Sequence, residues 1–437
     1  MKSPSIYRRR IFERGRRGRT GTPVPLGWCA LVPRPLGYAL AKWPPSLPGE
    51  FHMHFQALLC QRVVYLLALI LFPLSVGSMG VAAHAADPLP ATERDGIRFV
   101  DARNVGIEGQ GWPAADFATP FDRLPAKAEK TVRPDVWNLS HHSAGLSVRF
   151  VADTPAIHAR WSLTSPQLAM KHMPATGVSG LDLYARDGQG NWRWVACAAP
   201  NAEGQEQAGV VVDGLQPGRR EWLLYLPLYN GVSNLEIGVP VSATIGRAAA
   251  PLPGREKPIV FYGTSITHGA CASRPGMCHT AILQRRYGRP VVNLGFSGNG
   301  RMEPEMAELL AEIDAAAFCI DCCPNLDGTA TAARTGPLVE ILRKSHPQTP
   351  IILVEDRRYA DGWLVPGKRA HNDANHAALR KAFDDLQAAG VPGLHYLGGD
   401  DLLGDDGEGT VDSSHPTDLG FVDHAKAFTK VLDPLVR

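Results

Sequence analysis

The sequence contains no apolar segment long enough for a membrane-spanning helix. An apolar run at Val63–Val76 has 14 residues, whereas a span takes about 20. Internal repeats are absent as well, which argues against solenoid and propeller folds. Cys319, Cys322 and Cys323 cluster, but no second CxxC motif or paired histidine spacing accompanies them, so we do not expect a zinc site. With 44% hydrophobic and 20% charged residues among 437, the composition is that of a globular protein with a substantial core.

Most of the chain also lacks an excess of positive charge. Residues 1–85 hold 11 of the 45 Lys and Arg residues and 2 of the 43 Asp and Glu residues. Residues 86–437 therefore carry 34 basic and 41 acidic side chains, a net charge of −7. Binding to phosphate backbones needs a cationic face, so the sequence argues against nucleic acid as a partner.

The apolar run has the length of a signal-peptide core. Arg62 precedes it, and Ala83-His84-Ala85 follows it with the small-x-small pattern of a signal peptidase site. We therefore expect residues 53–85 to be a signal peptide and the mature chain to begin at Ala86. A periplasmic or secreted protein with no stable membrane insertion after cleavage is the expected product.

Residues 1–52 are too long for the basic start of a signal peptide. Met53 would give a signal peptide of ordinary length, so an overextended start is the preferred interpretation of this Arg- and Pro-rich stretch. A disordered basic tail is the alternative.

Six cysteines remain after residue 85, and an exported protein could oxidise some of them. They are Cys197, Cys271, Cys278, Cys319, Cys322 and Cys323. Cys271 and Cys278 flank an Arg-Pro-Gly turn and are the best local pair. Six cysteines allow 15 complete pairings, and buried, unpaired thiols are the more ordinary outcome.

The sequence pattern of residues 97–245 predicts an antiparallel β-sandwich of jelly-roll type. Short runs rich in Val, Leu, Trp and Tyr, such as Leu146–Val151 and Ala156–Trp161, alternate polar with apolar residues. Turn residues such as Asp187-Gly188 separate these runs, as in known sandwiches. A Pro- and Ala-rich joint at 247–256 then leads into a second domain, residues 257–437.

The second domain alternates apolar runs with helical patterns. The expected strands are 258–262, 290–294, 316–320, 351–354 and 394–397, and the expected helices are 303–313, 331–344, 371–389 and 421–432. This alternation of strands and helices predicts an α/β fold with a doubly wound, parallel, five-stranded sheet. Ligands bind such sheets at the carboxyl ends of the strands.

Four polar motifs follow predicted strand ends. Ser265 in Gly-Thr-Ser-Ile-Thr follows the first strand, where a strand-to-helix turn exposes its hydroxyl group. Gly298 lies in the glycine-rich loop after the second strand, and Asn325 follows the third. Asp412 precedes His415 by three residues in the last loop, a spacing that can fix the imidazole tautomer. Alone, each motif fits a helix cap, a turn or a solvated loop; in this order they indicate nucleophilic catalysis.

This series resembles the four sequence blocks of the SGNH/GDSL hydrolases, over about 180 residues from Pro258 to the C terminus. Thr264 and Pro324 depart from the residues that the family usually has there, Asp and Gly. Residues 97–245 look like the companion domain of a two-domain branch. The resemblance implies an SGNH hydrolase-like, flavodoxin-like fold.

The resemblance also implies a role for each motif. Ser265 would be the nucleophile, His415 the general base and Asp412 the group that orients it. The oxyanion hole would consist of the N–H groups of Ser265 and Gly298 and the Asn325 amide. An acyl-enzyme mechanism of this kind requires neither a cofactor nor a metal ion.

The substrate is less constrained by sequence. We expect a small-molecule or polysaccharide ester with a short acyl group, and we prefer acetyl on carbohydrate, since the chain lacks a long apolar lid. Some of the six tryptophans of the sandwich region could stack on sugars, although core packing explains Trp192 and Trp194, which share one strand face, at least as well. The six are Trp112, Trp137, Trp161, Trp192, Trp194 and Trp222. His268 and His279 could line the pocket, but solvated loop positions are the expectation. A thioesterase or lysophospholipase, and a glycan-binding protein on an inactive hydrolase scaffold, remain alternatives.

Overall fold

The computed structural model of the protein describes residues 89–201 and 204–436. The predicted N-terminal stretch 1–52 and the predicted signal peptide 53–85 lie outside the described residues. Among the helices that are described, none combines the length and the apolar character needed to cross a membrane.

The N-terminal part is built from antiparallel strands. They are β1 (Ala91–Arg94), β2 (Ile97–Asp101), β3 (Ile107–Glu108), β4 (Ser147–Asp153), β5 (Ile157–Leu163), β6 (Leu181–Arg186), β7 (Trp192–Ala198), β8 (Glu206–Val212), β9 (Arg219–Tyr225), β10 (Val232–Pro240) and β11 (Thr244–Arg247). One sheet has the order β1-β2-β10-β5-β8, and the other has the order β11-β4-β9-β6-β7, with β3 beside β4. Three short helices lie between the strands: α1 (Ala102–Val105), α2 (Pro134–Ser140) and α3 (Ala175–Val178).

Alternating side chains hold the two sheets together. Along β5, every second residue from Ile157 to Leu163 is buried, as the period of a strand requires. Phe150 of one strand stacks on Trp222 of its neighbour, with ring centroids 6.4 Å apart. Their buried faces form one apolar cluster with Trp161. The predicted antiparallel sandwich is therefore confirmed.

The C-terminal part contains five strands and six helices within the described residues. The strands are β12 (Ile259–Gly263), β13 (Val291–Gly295), β14 (Ala317–Asp321), β15 (Ile351–Val354) and β16 (Leu394–Leu397). The helices are α4 (Ser265–His268), α5 (His279–Tyr287), α6 (Pro304–Leu310), α7 (Gly328–Ser345), α8 (Pro366–Ala388) and α9 (Asp418–Val436).

These five strands form one parallel sheet with the order β13-β12-β14-β15-β16. This order is the flavodoxin-like, doubly wound arrangement, and it confirms the predicted α/β fold. Every residue of β12, β13, β14 and β15 is buried, because helices cover both faces of a parallel sheet. The carboxyl ends of β12, β13 and β14 are adjacent, so the loops that follow them meet.

Three of the four predicted helices begin earlier than the apolar periodicity indicates, whereas the helix predicted at 303–313 is shorter, Pro304–Leu310. Helix α8 begins at Pro366 rather than 371, because proline is favoured in the first turn. Helix α7 begins at Gly328 rather than 331, and the Asp327 side chain caps it by accepting a hydrogen bond from the Ala330 N–H at 2.7 Å. Polar first turns carry no apolar stripe, so periodicity alone underestimates these helices.

A buried arginine joins the sandwich to the parallel sheet. The Arg123 guanidinium donates hydrogen bonds to the Asn293 and Gly295 carbonyls at 3.2 and 2.8 Å, and to the Leu139 carbonyl at 2.6 Å. Burial lowers the pKa of Arg123 to about 9. The loop at the end of β13 is therefore held by a side chain of the other domain.

Candidate active site

Ser265 lies at a sharp turn directly after β12. The Thr264 hydroxyl caps α4 by accepting a hydrogen bond from the Ile266 N–H at 3.3 Å. The turn depends on Gly263, since a Cβ atom there would lie 2.1 Å from the Thr267 hydroxyl oxygen. Only 9% of Ser265 is exposed. The nucleophile candidate is thus fixed by a strand end and a cap rather than by a flexible loop.

His415 and Asp412 reach Ser265 from the loop between β16 and α9. His415 Nε2 lies 2.8 Å from Ser265 Oγ, and His415 Nδ1 lies 2.8 Å from Asp412 Oδ2. An ionised carboxylate can only accept, so Nδ1 carries the hydrogen and Nε2 is free to accept the serine proton. The three side chains form one continuous chain of hydrogen bonds.

The Asp412 carboxylate is held ionised by its own loop. Its Oδ1 accepts hydrogen bonds from the backbone N–H groups of His415 and Ser414 at 2.8 and 3.1 Å. Partial burial acts to raise the pKa of Asp412, but these bonds and the His415 ring outweigh it and hold the pKa below its ordinary value. Ser413, with φ of +76°, makes the tight turn that brings both N–H groups to one oxygen.

The three predicted oxyanion donors lie after adjacent strands. The Ser265 N–H is in the first turn of α4, where intrahelical acceptors are missing. Gly298 adopts φ of +69° in the tight loop after β13. Asn325 ends a single helical turn after β14, and its amide donates to the Gly300 carbonyl at 3.3 Å. Their part in oxyanion binding stays a prediction.

Aromatic side chains pack behind Ser265. The Tyr229 hydroxyl donates to the Ser265 carbonyl at 3.2 Å, and the Tyr229 ring stacks on His268 with centroids 4.1 Å apart. His142 Nδ1 lies 3.3 Å from His268 Nε2. Tyr229 and His142 belong to the sandwich part, so that domain contributes to the position of Ser265.

The expectation of solvated loop positions for His268 and His279 is wrong. Both side chains are fully buried, His268 in α4 and His279 at the start of α5. Burial lowers the pKa of both rings well below the ordinary value, with a further contribution from Arg123 in the case of His268. His279 packs against Phe421 and Phe428, residues more than 140 positions away in the sequence. Only the tertiary structure brings them together.

All six cysteines of the described residues are free. Cys271 and Cys278, the best local candidates for a disulfide, are both unpaired, and burial raises the pKa of these thiols to about 12 and about 11. Five of the six are buried, and Cys197 is partly exposed. The interpretation as buried thiols is therefore confirmed for five of them.

An apolar segment that the sequence analysis did not single out, residues 363–365, lies beside the loop between β16 and α9. This loop, which carries Asp412 and His415, is called the catalytic loop below. Trp363 and Leu364 are 74% and 66% exposed, and Val365 is 37% exposed. The segment is tied to the loop because the Ala360 N–H donates to the Ser413 carbonyl at 3.0 Å. The sequence could have indicated this segment, because it follows β15 and therefore lies at the edge of the sheet where the strands end.

The tryptophans of the sandwich are mostly structural. Trp161 and Trp222 are core residues, and Trp112 donates to the Glu312 carboxylate at 2.8 Å. Trp194 is 52% exposed, but its indole N–H donates to buried Asp182 at 3.0 Å. These contacts favour core packing over sugar stacking for most of the set.

The sandwich part also contributes an exposed imidazole to the site. The His172 ring lies perpendicular to that of His415, with centroids 6.0 Å apart. His172 belongs to a loop closed by the paired residues Met170 and Met173. It therefore lies where a substrate bound at Ser265 would meet the sandwich.

A cavity of about 740 Å³ lies elsewhere in the molecule. Its lining includes Arg255 and Pro290, which precede β12 and β13. It therefore opens at the amino ends of the strands, the edge opposite Ser265. This cavity is separate from the triad.

Two sequence families match the two parts of the chain. The GDSL-like lipase/acylhydrolase family matches residues 256–433. The N-terminal domain of the SGNH hydrolase-type esterases matches residues 97–245. No curated protein matches the sequence.

Several solved structures are similar to this one. A protein described as a GDSL-like lipase from Bacteroides ovatus is 36% identical, with a TM-score of 0.73, and the match covers 78% of this chain and 98% of that one. Two others share the fold at lower identity. The salicylyl-acyltransferase SsfX3 from a tetracycline biosynthetic pathway has 19% identity, a TM-score of 0.58 and coverages of 80% and 95%. A family two carbohydrate esterase from Cellvibrio japonicus has 12% identity, a TM-score of 0.50 and coverages of 78% and 98%.

The identity to the Bacteroides protein extends over nearly all of that chain, and both parts of the present chain match families of the same kind. The architecture and these matches agree with the resemblance seen in the four motifs. The chain belongs to the GDSL-like lipase/acylhydrolase family and is a carboxylic ester hydrolase.

Proposed function

We propose that the protein is an exported serine esterase that removes short acyl groups, acetyl above all, from carbohydrate esters through an acyl-enzyme. The observation that carries the proposal is the hydrogen-bonded series of Ser265, His415 and Asp412. The same geometry argues against an inactive, glycan-binding scaffold, because a nucleophile with an oriented base has the features of a working site.

In the first half of the reaction, Ser265 Oγ attacks the ester carbonyl carbon and passes its proton to His415 Nε2. The new C–O bond converts the carbonyl into a tetrahedral oxyanion. His415 then gives the proton to the leaving alcohol oxygen as the ester C–O bond breaks. Asp412 stabilises the imidazolium during these steps and stays ionised.

Stabilisation of the oxyanion is assigned to the donors at the ends of β12, β13 and β14. Two are backbone N–H groups, of Ser265 and Gly298, and the third is the Asn325 amide. Loss of one such donor typically costs about 3 kcal/mol of barrier. Because the donors are fixed by strand ends and tight turns, they need little reorganisation when charge develops.

In the second half, water hydrolyses the acyl-enzyme. His415 Nε2 accepts a proton from the water as its oxygen attacks the acyl carbon, and then returns the proton to Ser265 Oγ. The carboxylic acid leaves, and the hydrogen bond between Ser265 and His415 is restored. Every proton in this cycle is accounted for by these two side chains and the water.

Two observations support a carbohydrate as the alcohol part of the ester. The carbohydrate esterase from Cellvibrio japonicus has the same fold. Exposed Trp363 beside the catalytic loop offers an indole face of the kind that packs on sugar rings. Polar groups also surround the loop: Lys368 donates to the Ser413 hydroxyl at 3.1 Å.

A second candidate, a lysophospholipase or thioesterase, is favoured by the same exposed segment. Three consecutive apolar residues, 363–365, could receive part of a long acyl chain. Acyl-chain preference separates the two candidates.

We expect acetyl esters to give the highest kcat/KM in a series of p-nitrophenyl esters from acetate to palmitate. An extended apolar acyl site would add about 0.8 kcal/mol of binding for each methylene, whereas a pocket closed around one methyl group rejects longer chains. The measurement is initial-rate kinetics with the purified protein, together with acetate release from acetylated polysaccharides. A maximum at octanoate or beyond would contradict the acetyl proposal and favour the lipid substrate.

Trp363→Ala is expected to raise KM for an acetylated oligosaccharide by ~3- to 10-fold, the range of an aromatic packing contact. The same change should leave kcat/KM for p-nitrophenyl acetate within about twofold, because this small ester does not reach the segment. Trp363→Tyr should retain most of the binding. Trp194→Ala, at the exposed tryptophan of the sandwich, is the control, and an equal loss with both esters would argue against a sugar contact.

For export, we expect the mature protein to begin at or near Ala86. N-terminal sequencing of the protein recovered from the periplasm or the medium tests this directly. Recovery of a mature protein that still carries residues 1–52 would contradict both the cleavage site and the start at Met53.

A further inference from the structure

A second group of titratable side chains lies behind the nucleophile, and the proposed mechanism does not use it. His279 begins α5, Asp321 ends β14 and His424 lies in α9. All three side chains are buried, and one ligand atom from each lies within 4.8 Å of those of the others. Three separate elements of the α/β domain therefore converge at this point.

The Asp321 carboxylate has little to compensate its charge. Its Oδ2 accepts a hydrogen bond from the Thr267 hydroxyl at 3.0 Å. Within the described residues no lysine or arginine forms an ion pair with it, and the nearest ionisable nitrogen is His424 Nε2 at 3.8 Å. A buried carboxylate is costly unless a positive charge accompanies it.

The His424 ring faces this carboxylate with Nε2. Its Nδ1 lies 3.0 Å from the Leu402 carbonyl oxygen, which can only accept, so Nδ1 carries the hydrogen. In the neutral ring, Nε2 is then unprotonated, and this buried atom has no hydrogen-bond partner among the described residues. A backbone carbonyl that fixes one ring nitrogen in this way is typical of histidines whose other nitrogen binds a metal ion.

His279 supplies a second buried ring nitrogen. Its Nε2 makes no hydrogen bond within the part of the chain that the structure describes, and the centroid of its ring lies 4.6 Å from that of His424. The rings of Phe421 and Phe428 stack on the His279 ring and close the group off on that side.

We propose that His279, Asp321 and His424 bind one divalent transition-metal ion, with Zn²⁺ the preferred species. Two imidazole nitrogens and one carboxylate oxygen are a donor set that zinc uses. Metal–ligand bonds of about 2.1 Å place tetrahedral donors about 3.4 Å apart. The side chains therefore draw together by roughly 1 Å when the ion binds.

The ion has a structural role in this position. It links α5, β14 and α9 at a buried point, and because the group supplies three protein donors, a water molecule completes the tetrahedral coordination. Thr267, which holds the Asp321 carboxylate, lies two residues after Ser265 in the same short helix. Metal binding therefore stabilises the folded state and the turn that carries the nucleophile, without contact with the ester.

A second potential ligand group provides a matched control. His172 lies with Asp412 and His415 in a cluster whose ligand atoms are also within 4.8 Å of one another, but two of these three side chains are exposed, and Asp412 and His415 already bond to each other. His172→Ala removes an imidazole from the exposed cluster, and His424→Gln removes one from the buried cluster.

The test is the metal content of the full chain, produced without a histidine tag and dialysed after growth with Zn²⁺ or Co²⁺. Inductively coupled plasma mass spectrometry should find about one ion per chain in the wild type and in His172→Ala, and a loss of most of it in His424→Gln. The Co²⁺ form should show the visible ligand-field bands of a tetrahedral site. Removal of the ion by a chelator should lower Tm, and added Zn²⁺ should restore it.

If His424→Gln does not fold, metal binding by the buried cluster is tested with the wild type alone, through its Co²⁺ spectrum and the effect of a chelator on its Tm. Metal-free wild-type protein after growth with both ions, with a Tm that neither chelator nor Zn²⁺ changes, would overturn the proposal. Loss of the ion from His172→Ala but not from His424→Gln would also overturn it, because the metal would then belong to the exposed cluster.

Discussion

Ser265→Ala is expected to lower kcat/KM for p-nitrophenyl acetate by about 10⁴-fold or more, because the attacking oxygen is lost while the donors and the substrate site remain. The backbone contacts of residue 265 do not involve its hydroxyl: Tyr229 bonds to its carbonyl, and Thr264 caps the helix. The fold should therefore survive. Steady-state kinetics and a thermal melt measure the two effects separately.

Ser233→Ala is a suitable control, since Ser233 is an exposed serine of the sandwich. It should retain both activity and Tm. A Ser265→Ala protein with kcat close to that of the wild type would show that another group is the nucleophile. A protein with greatly reduced Tm would show instead that the hydroxyl is needed for the fold.

Much of the α/β domain could be predicted because its strands are buried on both faces. Such strands appear in the sequence as short, continuous apolar runs, and their carboxyl ends can be read directly from it. Since parallel strands end at the same edge, residues after β12, β13 and β14 had to meet. Ser265, Gly298 and Asn325 were located by this reasoning, and His415 by its place in the last loop.

The burial of the histidines could not be predicted in the same way. His268 and His279 are polar residue types close to a loop, and local sequence favours solvation for such residues. Their surroundings come from distant parts of the chain: Tyr229 of the sandwich for His268, and Phe421 of the last helix for His279. The hydrophobic pattern of a sequence does not indicate which distant aromatic side chain will pack on a given histidine ring.

The tryptophans illustrate the same limit on the substrate side. Composition draws attention to the sandwich, where six of the seven tryptophans after residue 85 lie. The structure places Trp161 and Trp222 in the core and leaves Trp363, in the α/β domain, exposed beside the catalytic loop. Residue type alone does not distinguish a core indole from an exposed one, because both occur in short apolar segments.

Asp412→Asn is expected to lower kcat/KM for p-nitrophenyl acetate by about 10⁴-fold with little change in the position of His415. The asparagine carbonyl oxygen can still accept from the N–H groups of Ser414 and His415, as Asp412 Oδ1 does now. Its amide nitrogen would then face His415 Nδ1 and donate to it. The imidazole would carry its hydrogen on Nε2, and it could no longer accept the proton of Ser265.

Asp405→Asn is the matched control, since Asp405 is an exposed aspartate of the same loop, and it should leave kcat/KM within about twofold. Thermal melts distinguish a tautomer effect from a folding defect. If the amide of the Asp412→Asn side chain were turned so that its nitrogen faced the N–H groups of Ser414 and His415, both of these backbone hydrogen bonds would be lost and the loop would loosen. Near-wild-type Tm with a large loss of kcat is the result that the tautomer argument requires. An Asp412→Asn protein of nearly full activity would mean that another group orients His415. The first candidate for that role would be the exposed imidazole of His172, whose ring centroid lies 6.0 Å from that of His415.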